Sequence, residues 1–178
     1  FNVTNTFVLI WFIPQIEKIV CRLIKPKTTE DEEEFRLTYI GGSTIMKTPE
    51  LSVLEAQKEI QVFAERVHKM YAFVRDLLAT TDDASFNKQF SRIEKYESIT
   101  DNMEIEIAKY LDGVSDAHLS DDTKAKIRAM LREISELESI GDSCYNIART
   151  INRKKASKED FTERQYEHIH QMMELTDD

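Results

Sequence analysis

The 178-residue sequence predicts an all-α fold: an elongated antiparallel three-helix bundle, with a fourth C-terminal helix and an apolar N-terminal helix. Three observations point there. Apolar residues recur three and four apart over three stretches of about 30 residues. Only four Gly and three Pro interrupt the chain, which leaves room for long helices. No stretch shows the alternating pattern of a half-buried strand.

The first element spans 1–24. "FVLIWFI" sets Phe7, Val8, Leu9, Ile10, Trp11, Phe12 and Ile13 in one apolar run. It is shorter than the roughly 20 apolar residues that cross a bilayer, and it lacks the basic start and cleavage site of a signal peptide. The chain opens on Phe1 rather than Met, as a piece of a longer protein would. Lys18, Arg22, Lys25 and Lys27 follow the run, and basic residues there mark the cytoplasmic side of a membrane segment. The competing reading is an amphipathic helix packed on the domain. Residues 25–47 read as a linker, with a solvating acidic run at Glu30–Glu34 and the glycine pair Gly41-Gly42.

The bundle is expected over 48–154. Thr48-Pro49-Glu50 supplies an N-cap, a first-turn proline and a first-turn acid. The first long helix then runs over about 49–79, with Val53, Ile60, Phe63, Val67, Met70, Val74 and Leu78 as its stripe. "TTDDAS" breaks it. The second helix covers about 83–113 and turns Phe86, Phe90, Ile93, Tyr96, Met103, Ile107 and Leu111 inward. Ser120 caps a third helix reaching about 154, with Ile127, Met130, Ile134, Leu137, Cys144, Ala148 and Ile151 inside. Short turns between helices about 45 Å long impose an up-down-up arrangement. Ser157 is read as the cap of the fourth helix, 157–178, which would begin a second bundle.

Composition narrows function. A net charge of −9 excludes a general nucleic-acid binder and suits a cationic or metal partner. Cys21 and Cys144 form no disulfide framework and indicate a reducing compartment. No serine–histidine, Cys–His or Gly-rich phosphate-loop constellation is present.

One pattern carries chemistry. Glu97 and Asp101 follow Ile93 at four-residue steps, and Glu138 and Asp142 follow Ile134 in the same phase. With the isoleucine at zero, each Glu falls about 40° and each Asp about 80° around the helix, and Glu104 falls about 20° from Ile93. These acids lie within or beside the apolar arcs, and Asn146 extends the second row by a turn. Desolvated carboxylates need compensation. In antiparallel helices Glu97 faces Asp142, and Asp101 faces Glu138. Four oxygen donors on one seam suit hard or borderline cations, Fe, Mn, Mg or Ca. The bland alternative is neutralisation by Lys95, Lys109 and Arg149. A di-iron site built on Glu65–His68 and Glu167–His170 is disfavoured, because Glu65 and Glu167 fall about 140° and 160° from their apolar stripes.

At these residues the chain resembles a known family. "RIEKYESITDNMEIEIAKYL" and "REISELESIGDSCYNIARTI" look like the second and third helices of a PhoU repeat, the phosphate-uptake regulator fold, over about 50–153. The resemblance implies metal ligation by Glu97, Asp101, Glu138 and Asp142, with Glu104 and Asn146 as further candidates. "FNVTNTFVLIWFIPQIEKIVCRLI" resembles the end of the last membrane segment of bacterial sodium-dependent phosphate cotransporters, with Phe7, Leu9, Trp11, Phe12 and Ile13 nearest the membrane. The expectation is therefore a non-enzymatic cytoplasmic domain at the inner membrane. Its partners would be the membrane part of the same transporter, a second copy of itself and phosphate. A stand-alone PhoU-like regulator and a structural helical dimerisation module are the alternatives. A free PhoU protein has two complete repeats, whereas one helix alone follows the first repeat here.

Overall fold

The structure, a computed structural model, describes residues 36–40, 48–115 and 119–177. The expected apolar helix at 1–24 lies outside the described residues. Four helices follow in order: α1 Pro49–Ala79, α2 Asp83–Ser115, α3 Asp121–Ala156 and α4 Glu163–Asp177. Among the described residues no other regular element occurs, so the fold is all-helical.

Local chemistry sets the helix ends. The Thr48 hydroxyl accepts from the Leu51 N–H at 3.4 Å, with Pro49 in the first turn. Asp82 accepts from the Ser85 N–H at 2.8 Å and opens α2. Ser120 accepts from the Thr123 N–H at 3.2 Å and opens α3. Each satisfies a donor that the first turn would otherwise leave unpaired.

The sequence places the cap of the fourth helix at Ser157, and the structure corrects this. Ser157 instead closes α3. Lys158 takes the left-handed conformation at φ 55°. Its N–H reaches the Lys155 carbonyl at 3.0 Å, and the Glu159 N–H reaches the Lys154 carbonyl at 3.2 Å. That pair of bonds is a Schellman termination. The fourth helix starts six residues later, on a capping box. Thr162 Oγ1 accepts from the Gln165 N–H at 3.3 Å, and Gln165 Oε1 accepts from the Thr162 N–H at 3.0 Å.

Helices α1, α2 and α3 each pack against the other two. Side-chain links give their directions. Tyr110 near the end of α2 donates to Glu55 near the start of α1 at 3.0 Å. Lys155 at the end of α3 pairs with Asp83 at the start of α2 at 2.9 Å. The bundle is thus antiparallel, up-down-up. Helix α4 is tied to α1 by Tyr71, whose hydroxyl donates to the Met173 carbonyl at 2.6 Å.

The core divides into two apolar clusters. One gathers Val53, Ile60 and Phe63 with Ile99, Met103, Leu111, Ile127 and Ile134, at the end where α2 gives way to α3. The other gathers Met70, Val74 and Leu77 with Phe86, Ile93, Tyr96, Cys144 and Ala148, at the opposite end. Leu77 rather than Leu78 is the buried residue closing the α1 stripe. Burial pushes the Cys144 thiol up to about 11, so it packs as a small apolar group.

Residues 36–40 lie inside the stretch read as a linker, yet they pack on the bundle. Ile40 is buried in the first cluster and Leu37 lies against it.

Candidate metal centre

Helices α2 and α3 meet closely at Thr100 and Gly141, both buried. This contact falls near where the two apolar clusters adjoin, one residue beyond Ile99 on α2 and between Ile134 and Cys144 on α3. The Thr100 hydroxyl turns back on its own helix, donating to the carbonyls of Tyr96 at 3.1 Å and Glu97 at 2.8 Å. It therefore adds no unsatisfied group to the core. The next residue on each helix is an aspartate, so the contact carries Asp101 and Asp142 to the rim of the seam.

Carboxylate oxygens of Glu97, Asp101 and Asp142 all lie within 4.8 Å of one another. Glu97 and Asp101 are half-buried and Asp142 is exposed. A cation with oxygen ligands at about 2.4 Å spans opposite ligands about 4.8 Å apart, so one ion fits this spacing. All three donors are hard oxygens, and among the described residues no histidine or thiol joins them.

Desolvation raises the Glu97 carboxyl above its usual range, and Asp101, Asp142 and Glu94 push it further, while Arg149 partly offsets them. Asp101 is raised by desolvation and then by Asp142. Glu138 is raised by desolvation, then by Asp142, Glu104 and Asp101. Each acid would hold its negative charge more easily beside a cation.

These couplings locate the sequence-predicted site residues. Glu97, Asp101 and Asp142 form the cluster. Glu138 and Glu104 are half-buried; Asp142, Glu104 and Asp101 all act on Glu138, which stands beside the tight group rather than in it. Asn146 is exposed and lines an open groove beside α4. Of the three cations expected to neutralise the acids, Lys109 is paired with Glu106 at 2.8 Å, and Arg149 acts on Glu97. Tyr145 sits at the flank, donating to Glu94 at 3.5 Å, with the Arg149 guanidinium 5.6 Å from its ring centre. Glu65, His68, Glu167 and His170 are exposed, as their wheel positions require.

The PhoU domain model matches residues 60–151, more than half of the chain, and both acidic pairs lie inside the match. The chain belongs to the PhoU domain family. PhoU proteins are regulators of phosphate homeostasis rather than enzymes. Searches of curated proteins and of solved structures gave no match. Sequence reasoning missed the helix contact beside these acids: Thr100 and Gly141 meet there, and neither adds to an apolar stripe.

Proposed function

We propose that this PhoU domain is the metal-binding, cytoplasmic regulatory domain of a sodium-dependent phosphate cotransporter. The carboxylate cluster of Glu97, Asp101 and Asp142 supports the metal reading most directly. Glu138 and Glu104 stand next to it as further oxygen donors, and Asn146 is a more distant candidate. A bound cation would neutralise acids from two helices at once and so tie α2 to α3. Changes in occupancy would alter how firmly the bundle holds together at its waist, and through that its contacts with a membrane part or partner.

The transporter setting rests on sequence: the apolar run Phe7–Ile13 and the basic residues after it. Among the described residues, no helix is long and apolar enough to cross a membrane. Phosphate would reach this domain through the metal, since the chain carries no phosphate loop. Self-association has a surface to use. Ile140 and Ile147 on α3 and Met172 and Leu175 on α4 are large apolar residues at 40% to 79% exposure.

Cells making the full-length protein test the reading. Phosphate uptake should respond to external phosphate with the wild-type protein and lose that response with Asp101→Ala/Asp142→Ala at equal protein level. Unchanged regulation in the double variant rejects a regulatory role for the cluster. Recovery of the wild-type protein away from the membrane fraction would favour the stand-alone regulator.

A further inference from the structure

Glu59 is the one charged residue among the fully enclosed side chains of the described bundle, at 0% exposure. It lies on α1, away from the carboxylate cluster. Both of its oxygens accept the Thr38 N–H, at 3.1 and 2.9 Å, and Oε2 also accepts the Tyr39 N–H at 2.6 Å. These donors stand 21 and 20 residues earlier in the chain. Side chains of the same short stretch close over the site. Ile40 is buried in the core cluster, Leu37 packs against that cluster, and Lys58 Nζ lies 5.6 Å from the centre of the Tyr39 ring.

A carboxylate is costly to enclose unless it is hydrogen-bonded. For the three helices alone an aliphatic residue would serve better at this position. The charge makes sense as a recognition group for the backbone of residues 38 and 39. Charge-assisted bonds from N–H groups are stronger than neutral ones and depend on direction. A glutamine cannot substitute fully, because its NH₂ group would confront donors where the carboxylate has a second acceptor.

We propose that Glu59 is a latch. It holds residues 36–40 as a strap against the end of the bundle where α2 gives way to α3. Closed, the strap fixes where the chain enters the bundle and keeps the carboxylate dry. Open, Glu59 is hydrated and Leu37 and Ile40 are exposed, while the three long helices keep their own contacts. The strap is thus a local opening unit, separate from global unfolding.

Hydrogen exchange and limited trypsin digestion of the full chain test this. In the wild type, the Thr38 and Tyr39 amides should exchange at least about tenfold more slowly than unprotected amides. In Glu59→Gln they should lose that protection, and cleavage after Arg36 should speed up by about tenfold or more, while the Ile99, Met103 and Ile107 amides stay protected. Unprotected amides in the wild type, or equal protection in both proteins, overturns the latch. Should Glu59→Gln lose its helical circular dichroism, Thr38→Pro removes one donor and leaves Glu59 in place. Faster cleavage after Arg36 on intact helices supports the latch, and unchanged cleavage overturns it. Loss of the helices in both variants also overturns it, because the strap would then be core rather than a releasable segment.

Discussion

Gly141 packs directly on Thr100: a Cβ placed on Gly141 would lie 3.4 Å from the Thr100 hydroxyl oxygen. That is ordinary contact for a methyl group, and a longer side chain directed at Thr100 would crowd it. Two effects compete at this position. A glycine inside a helix costs about 1 kcal/mol relative to alanine, and overfilling a packed contact costs about 1–3 kcal/mol.

Gly141→Ala should therefore raise stability by about 0.5–1 kcal/mol, and Gly141→Leu should lower it by about 1–3 kcal/mol. Urea denaturation of both variants measures this. The leucine variant should also separate Asp101 from Asp142 and reduce any stabilisation by added metal. A tolerated leucine would mean that α2 and α3 are not in close contact here.

The acids make a pH prediction. Glu97, Asp101 and Glu138 have raised pKa values, so the folded protein keeps these protons to higher pH than the unfolded chain does. Protons bound preferentially by the folded state stabilise it at low pH. Their contribution fades as pH rises from the ordinary carboxylate range through the folded values. Metal-free Glu138→Gln should melt above the wild type at neutral pH by about 2 °C, a modest figure because solvent screens a half-exposed group. The gap should narrow as pH falls into the ordinary carboxylate range, where the wild-type carboxylates take up protons as well. Melting scans of the two proteins across that range give the comparison. A gap that does not vary with pH would show that these acids do not repel one another.

Lys158 holds the left-handed turn that ends α3, at φ 55°. A side chain in that conformation is strained, and glycine is not. Lys158→Gly should raise the stability of the bundle by about 0.5–1 kcal/mol despite the loss of a surface charge. Thermal unfolding measures it. A destabilised variant would mean that the lysine side chain contributes more than the turn costs.

The helices were legible because their punctuation is local. Thr48-Pro49 and Ser120 each sit directly before an apolar stripe, and the structure uses both as caps. The carboxylate cluster was legible because two identical phases on two helices leave a trace in spacing. What escaped were interactions without periodicity. Ser157 and Thr162 are both capping residues by type. Gln165, three residues after Thr162, completes the capping box, while Lys158 stops α3 without the glycine that usually marks such a turn. Glu59 lies beside Ala56 and Phe63 on the wheel but counts as polar in any apolar pattern. Its partners are backbone groups in a stretch with linker composition, and backbone donors have no sequence signature. Thr100 and Gly141 are small, so their contact at the site contributes nothing to a hydrophobic stripe.

Calorimetric titration of chelator-stripped protein with Mn²⁺ and Ca²⁺ tests the metal centre most directly. The wild type should bind saturably, and Asp101→Ala/Asp142→Ala should bind at least about tenfold more weakly, since affinity for hard cations follows the count of charged oxygen ligands. At a concentration about a hundredfold above Kd, the ion should add about 2.7 kcal/mol to wild-type stability and far less to the variant. Equal binding by the two proteins, or no saturable binding by the wild type, would contradict a metal site at the α2–α3 seam.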